Sequence, residues 1–321
     1  MDPILVRLGP LAVRWYGALI ATGVLFGTLW AVRWARQRKL DPDRLLDMAV
    51  WLVLGGLIGA RLVYVLTSPS AFFGPGGDPL RALAVWQGGI SIHGGVAGVV
   101  LATWLYCRRY GLNMWAYLDV MTPVGALGII GGRLGNIMNG SDTTGRLTGW
   151  PIGFTWPDAG APFLGGFGRT IFGTDLWAYY PGTCSLGSGV SLEQCEALGG
   201  TVLRGPVHFT QLYGVFIGIA LIPIIIWAFR RARASGYVFW QFVLWYSVLR
   251  AVVEEPFRDN PVFLAVFLAE GPSAPGIGLF TLTQVVSVML IGLALVMLRQ
   301  GSVREASATA ESRSAPRRKM D

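Results

Sequence analysis

The possible folds of this chain are limited by seven apolar segments, each long enough to cross a lipid bilayer. The hydrocarbon core is about 30 Å thick, so a spanning helix needs roughly 20 mostly apolar residues. The segments are Leu11–Trp34, Leu45–Leu66, Ile90–Cys107, Trp115–Gly135, Phe209–Phe229, Tyr237–Val253 and Phe280–Leu298. Only 14% of the 321 residues are charged, against about 25% in soluble domains. We therefore predict an all-α polytopic membrane protein with seven transmembrane helices.

The basic residues between these segments predict how the chain is oriented in the membrane. Cytoplasmic connections carry an excess of Lys and Arg, and this bias sets the orientation. Alternate connections and the C-terminal tail together hold 16 of the 26 basic residues, whereas the opposite connections hold 7, Arg258 among them. We therefore place the C-terminus in the cytoplasm and the N-terminus on the outer side. The net charge of +8 follows this topology pattern, and we expect no nucleic-acid partner.

Two regions of the chain fall outside the apolar segments. Residues 137–206 are polar and rich in Gly, Pro and Thr, and are predicted to lie on the outer side between the fourth and fifth spans. A connection of this length is either functional or a small folded cap, and its Cys184 and Cys195 would be able to pair in an oxidising compartment. Residues 301–321 are rich in Ser, Ala and Arg and predict a disordered, basic cytoplasmic tail. We thus expect one membrane domain over residues 1–300, followed by this tail.

Ionisable side chains inside the apolar segments are candidate functional residues, because each costs roughly 2.5–3.5 kcal/mol at the bilayer centre. These residues are Asp47, Arg61, Asp119, Arg133, Arg250 and Glu254. The first three are more simply explained as charges that pair with one another or with the backbone and hold helices together. Tyr246, Arg250 and Glu254 recur every four residues and so share one helix face. Arg before Glu is the less favourable order for a local ion pair, which favours a face that lines a polar cavity.

Arg133 lies in a glycine-rich stretch that also contains Asn136, Asn139 and Gly140. A guanidinium group is a planar fork of donors that matches phosphate oxygens, and glycines allow a head group to approach the backbone closely. The alternative is a segment that ends a helix, with an arginine that reaches toward the interface.

The chain has two histidines, and both are predicted to enter the membrane from the outer side. His93 stands at the start of the third span and His208 at the start of the fifth. A lone histidine is more often structural, but two on one side favour acid–base chemistry, because histidine titrates near neutral pH. Neither has a second metal-binding residue at ligand spacing, so we expect neither a metal nor another cofactor.

Six motifs in order along the chain resemble those of the prolipoprotein diacylglyceryl transferase family. The most specific is GRLGNIMNG, at Gly132–Gly140. The supporting motifs are Arg14–Gly17, Gly59–Val65, Trp86–Gly95, His208–Tyr213 and the set of Tyr246, Arg250 and Glu254. Three positions depart from the family pattern: Ser141-Asp142 follow the Asn-Gly pair in place of a glutamate, Phe209 replaces a proline, and Gly214 replaces a glutamate. These departures weaken any mechanism that gives those glutamates essential acid–base work.

The resemblance implies an enzyme of the bacterial inner membrane. Its reaction transfers the diacylglyceryl group of phosphatidylglycerol to the lipobox cysteine of a prolipoprotein signal peptide, so that a thioether forms and glycerol phosphate leaves. Arg133 and Arg250 are then expected to bind the phosphate, and His93 to act as the base or proton shuttle. The other expected substrate-binding residues are Tyr16, Asn136, Asn139, Gly140, Tyr246, Glu254 and His208.

Two other functions are compatible with charged residues inside spans. A secondary transporter for an anionic substrate would also need buried arginines, but many transporters contain two related halves, and the sequence shows no such symmetry. A purely structural membrane protein would leave the polar motifs without a purpose. The transporter is therefore the principal alternative to the enzyme.

Overall fold

The computed structural model shows a mostly helical protein. It describes residues 4–8, 11–74, 77–84, 89, 91–139, 145, 183–184, 197–199, 202–203, 208–232, 234–258, 262–267 and 278–314. The helices are α1 (Trp15–Gln37), α2 (Pro42–Thr67), α3 (Ser70–Phe73), α4 (Ile92–Tyr110), α5 (Met114–Asn139), α6 (Thr210–Arg231), α7 (Tyr237–Leu249) and α8 (Leu282–Ser314). A 3₁₀ turn at Pro79–Leu83 lies between α3 and α4.

In the described part of the chain, five helices are long and apolar enough to cross a membrane: α1, α2, α5, α6 and α8. The prediction of a multi-span helical protein is confirmed to that extent. Helices α4 and α7 coincide with the predicted third and sixth spans, and the total of seven spans stays a prediction. Helix α8 continues to Ser314, although the sequence predicts a disordered tail from residue 301. Alanine, glutamate and arginine in this stretch are good helix formers, so the helix propagates through them.

In the described part of the chain, three two-stranded antiparallel sheets correct the expectation that the chain is all-α. Strands β1 (Ile4–Leu8) and β2 (Leu11–Arg14) form the first, so the first helix begins at Trp15 and not at Leu11. Their leucine, isoleucine and valine residues suit strands, and Gly9-Pro10 between them is a turn sequence. The other strands are β3 (Thr183–Cys184) with β4 (Val202–Leu203), and β5 (Val262–Phe267) with β6 (Gly278–Thr281).

The hairpin of β3 and β4 belongs to the predicted outer stretch, residues 137–206. Cys184 lies in β3, opposite Val202. Cys195 lies outside the described residues, as does most of this stretch, so the cap and the cysteine pairing stay predictions.

Residues 28–121 form one compact unit, in which α2 packs against α4. Small residues make this contact: a methyl group added to Gly55 would lie 2.6 Å from the Cβ atom of Ala102, and one added to Gly59 would lie 2.9 Å from the Cα atom of Gly98. Such stripes of small residues let helix backbones approach closely in membranes.

Two charges predicted to be structural do hold this unit together. The guanidinium group of buried Arg61 donates to the carbonyl oxygens of Ala82, at 2.9 Å, and Gly89, at 2.7 Å, and also to that of Arg81. The Tyr106 hydroxyl donates to the Asp47 carboxylate at 2.7 Å and so links α4 to α2. The structural interpretation of Arg61 and Asp47 is confirmed by these contacts.

Residues 1–27 and 122–321 form the second unit. Within it α5 packs closely on α1 and α6, because a methyl group on Gly27 would lie 2.5 Å from the Cα atom of Val124, and one on Gly218 would lie 2.5 Å from Ile130. Helix α7 packs against α6 and α8. The candidate site lies where α5, α6 and the residues after α7 meet.

Candidate active site

The backbone changes from α-helical to π-helical geometry at the end of α7. Arg250–Glu254 form a π turn, in which the N–H of Glu255 donates to the carbonyl oxygen of Arg250, five residues earlier. A 3₁₀ turn, Glu255–Phe257, follows. Isolated π turns are rare and frequently mark functional sites. This one places two consecutive carboxylates, Glu254 and Glu255, in buried positions.

Glu254 is the centre of a cluster of arginines. Its Oε1 atom lies 2.6 Å from Nη2 of Arg133 and 2.6 Å from Nη1 of Arg258. Its Oε2 atom lies 3.6 Å from Nη1 of Arg250. The Glu254 side chain is only 1% exposed, and a buried carboxylate is tolerated only when it is paired and hydrogen-bonded. The three guanidinium groups meet that requirement.

Glu255 makes a second set of contacts. Its Oε1 atom accepts a hydrogen bond from the Thr281 hydroxyl at 2.9 Å, and its Oε2 atom lies 3.7 Å from Nη2 of Arg250. The Nε atom of Arg258 lies 4.0 Å from the same oxygen. Among the described residues, the three guanidinium groups and two carboxylates of this cluster leave one positive charge in excess. An anionic ligand would therefore balance its charge.

The Arg133 side chain crosses from α5 to Glu254 over the surface of α6. Its Nη1 atom donates to Oε1 of Gln211 at 3.3 Å, and the same oxygen accepts from Nδ2 of Asn136 at 3.4 Å. The Arg133 side chain can lie over α6 because residue 214 is glycine: a methyl group there would lie 2.5 Å from Nε of Arg133. The departure from the family pattern at Gly214 thus has a local structural reason.

The predicted face of α7 is present and joins the cluster. The Arg250 Nη1 atom donates to the Tyr246 hydroxyl at 3.4 Å, and the Tyr246 ring stacks on Phe242 with a centroid distance of 6.1 Å. The structure therefore brings together five of the predicted site residues: Tyr246, Arg250, Glu254, Arg133 and Asn136.

His208 packs against aromatic side chains. Its Nδ1 atom is 3.2 Å from the Tyr213 hydroxyl, and its ring centroid is 4.6 Å from that of Phe257. Burial lowers the pKa of His208 from 6.5 to about 4, because a charged imidazolium loses its hydration there. The ring is therefore neutral at physiological pH.

The remaining predicted residues are described only through their own elements or lie outside the described part of the chain. Tyr16 lies at the start of α1 against Gly135, where a methyl group would lie 2.7 Å from its ring. His93 lies in the first turn of α4, in the other compact unit. The side chains of His93 and Asn139, and all of Gly140, lie outside the described residues.

Sequence reasoning missed Glu255, Arg258, Gln211 and Thr281. Arg258 was counted with an outer connection, yet its side chain is only 6% exposed. Its backbone forms an isolated antiparallel bridge with Gly145, so a residue from the predicted outer stretch adjoins the cluster. For Glu255, the sequence signal is its position directly before Pro256. A proline cannot continue the helical hydrogen bonds, so the two glutamates before it stand where the regular helix ends.

The fold and the site together define a class: a polytopic membrane protein with a buried, net cationic polar site among its helices. A family model described as prolipoprotein diacylglyceryl transferase matches residues 3–299. The chain therefore belongs to the prolipoprotein diacylglyceryl transferase family.

Three relatives, each named phosphatidylglycerol–prolipoprotein diacylglyceryl transferase, are similar over almost the whole chain. The protein of Thermus thermophilus is 46% identical over 305 residues, covering 94% of this chain and 99% of its own. That of Deinococcus radiodurans is 45% identical, covering 93% and 85%. That of Thermoanaerobacter sp. is 30% identical, covering 94% of both chains. The resemblance seen in the motifs is confirmed, and the transporter alternative finds no support.

Proposed function

We propose that this chain transfers the diacylglyceryl group of phosphatidylglycerol to the lipobox cysteine thiol of prolipoproteins. The names of its relatives identify both substrates. The observation that carries the proposal is the buried cluster of Arg133, Arg250 and Arg258 around Glu254 and Glu255, with one positive charge in excess. A lipid phosphate is an anion that can reach such a site from the bilayer.

Arg133 and Arg250 are the proposed phosphate-binding residues. Each guanidinium group has five N–H donors, and the contacts of Arg133 with Glu254 and Gln211 use two of them. Within the described contacts, donors therefore remain for phosphate oxygens. Glu254 orients the arginines and Tyr246 supports Arg250, while Asn136 and Asn139 supply neutral donors for the head group.

The reaction places specific demands on this cluster. The cysteine sulfur attacks the glycerol carbon that carries the phosphate ester, so a C–S bond forms as the C–O bond breaks. The electron pair leaves with glycerol phosphate, whose charge grows in the transition state. Preorganised donors aimed at growing charge are worth about 10²–10³ in rate each. The arginines are suited to that role, because Glu254 and Glu255 hold them in place before the lipid arrives.

The thiol proton needs an acceptor, because a free cysteine thiol has a pKa near 8.5 and is mostly protonated at neutral pH. We assign this role to His93, which stands at the start of α4, because histidine is a common general base. His208 is the weaker candidate: its pKa of about 4 makes it a poor base. Its contacts with Tyr213 and Phe257 place the ring beside the cluster-bearing turn, and we propose that it contributes to substrate binding.

The proposed arrangement in the membrane has seven spans, with the N-terminus outside and the C-terminus in the cytoplasm. The excess of basic residues on one side supports it. Residues 137–206 would then lie outside, on the side from which a lipobox cysteine arrives. A single cysteine introduced at Arg81 should react with an impermeant maleimide in intact cells. A single cysteine introduced at Arg231 should react only after the cells are lysed. The reverse pattern would contradict this orientation.

Purified protein tests the proposed reaction directly. With phosphatidylglycerol and a lipobox peptide, the wild-type chain should release glycerol phosphate and add one diacylglyceryl mass to the peptide cysteine. A peptide with serine in place of the cysteine is the matched control and should not be modified. Failure of the wild-type protein to modify the cysteine peptide would contradict the proposed function.

A further inference from the structure

The π turn leaves the carbonyl oxygen of Ala251 without its ordinary helical donor. In an α-helix the N–H of Glu255 would donate to Ala251, but here it donates to Arg250. The next residue is Pro256, which has no N–H. Ala251 is half-buried, and backbone carbonyls away from water are almost always hydrogen-bonded, so we expect this oxygen to take a donor from another element.

Gln284, in the first turn of α8, supplies that donor. Its Nε2 atom donates to the Ala251 carbonyl oxygen at 3.0 Å. Its Oε1 atom accepts from the backbone N–H of Thr281 at 3.1 Å. Only one orientation of the amide satisfies both contacts, because one end must donate and the other must accept. The Gln284 side chain is thereby fixed between the π turn and the start of α8.

Thr281 completes a capping box with Gln284. The Thr281 hydroxyl accepts from the backbone N–H of Gln284 at 3.2 Å, and the Gln284 side chain returns to the N–H of Thr281. This is the reciprocal pattern in which a Thr and a Gln three residues later satisfy the free N–H groups at a helix start. The same hydroxyl donates to Oε1 of Glu255 at 2.9 Å. The cap of α8 therefore binds both the backbone and a carboxylate of the site.

We propose that the capping box of Thr281 and Gln284 positions the transferase site by holding the π turn in place. Neither residue needs to touch the substrate. If the link to Ala251 is lost, the turn can relax to α-helical bonding between Glu255 and Ala251, which moves Glu255 away from Arg250. Arg250 then loses a partner that orients it. This inference rests on the proposed function.

The variant Gln284→Glu separates the cap from the link to the π turn. A carboxylate still accepts from Thr281, and Thr with Glu is an equally good capping box. It cannot donate to Ala251, and it places a negative charge against that carbonyl. We expect kcat for diacylglyceryl transfer to fall about tenfold, with the KM for the lipobox peptide unchanged and the melting temperature within a few degrees of wild type.

Two matched variants complete the test. Thr281→Ser keeps both hydroxyl contacts and should have near-normal kcat. Thr283→Ala changes the same helical turn outside these contacts and should also have near-normal kcat. Wild-type kcat in Gln284→Glu would overturn the positioning role, as would an equal loss in Thr283→Ala. Lack of transfer by the wild-type protein itself would contradict the proposed function instead, so the two failures are distinguishable.

Discussion

Gly214 provides a sharp test of the site geometry, because it lies directly under the Arg133 side chain. In Gly214→Ala, the new methyl group would lie 2.5 Å from Nε, 2.8 Å from Cδ and 2.9 Å from Cγ of Arg133. Ordinary van der Waals contact begins at 3.4 Å, so Arg133 must move by about 0.9 Å. If Arg133 moves away from Glu254, their contact lengthens from 2.6 Å to at most roughly 3.5 Å, beyond a good charge-assisted hydrogen bond.

The size of the effect follows from this displacement. A misplacement of about 1 Å can lower an enzymatic rate by about 10²-fold, which corresponds to about 2.7 kcal/mol in the activation free energy. Stability should change much less. Alanine is favoured over glycine in a helix by about 1 kcal/mol, and this gain offsets part of the weakened ion pair.

Release of glycerol phosphate from phosphatidylglycerol, with a lipobox peptide as acceptor, is the assay. Gly128→Ala is the matched control, since a methyl group there meets no atom within 4 Å in the described part of the chain. We expect it to be as active as wild type, while Gly214→Ala loses about 10²-fold in kcat with little change in melting temperature. A rate for Gly214→Ala within twofold of the control would refute the reasoning.

Three further predictions test other parts of the structure. Arg258→Leu removes a partner of buried Glu254 and should destabilise the protein by about 3 kcal/mol. This value is near the lower limit for breaking a buried ion pair, because Arg133 still pairs with Glu254. An unchanged melting temperature in detergent would contradict this prediction. His208 binds its proton only near pH 4 when folded but near 6.5 when unfolded, so stability should fall as pH drops from 6.5 to 4. His208→Gln should flatten that part of the melting profile, and an identical profile would show that another group titrates. Gly98→Val places bulk against Gly55 and Gly59 in α2 and should lower the yield of folded protein, whereas Gly111→Asn, at an exposed helix end with positive φ, should not.

The arginines of the site could be predicted from the sequence because charge inside an apolar segment is costly and therefore needs a reason. Arg133, Arg250 and Glu254 were found in this way, and the structure places them in one cluster. Glu254 lies one residue past the predicted end of the sixth span and is identified by its four-residue spacing from Arg250. Glu255 lies off that helix face, and Arg258 is assigned to an outer connection. A spacing of four residues predicts an α-helix. A π turn adds one residue to a helical turn without changing the hydrophobic pattern, so the sequence does not reveal it.

The five long apolar helices α1, α2, α5, α6 and α8 were also predictable, since apolar length identifies them. Strand β2 was not, because it is as apolar as the helix that follows and merges with it in a hydropathy pattern. The link between Gln284 and Ala251 joins residues 33 positions apart. Such a contact depends on how α8 packs against the end of α7, which local sequence does not specify.

The central claim is that Arg133 and Arg250 bind the phosphate whose charge grows during the reaction. Its most direct test is the transfer rate of Arg133→Ala and Arg250→Ala at saturating lipobox peptide, with each variant shown to be folded and monodisperse. Each substitution should lower the rate by about 10²–10³-fold and weaken retention of phosphatidylglycerol. Rates within twofold of wild type in either variant would contradict it.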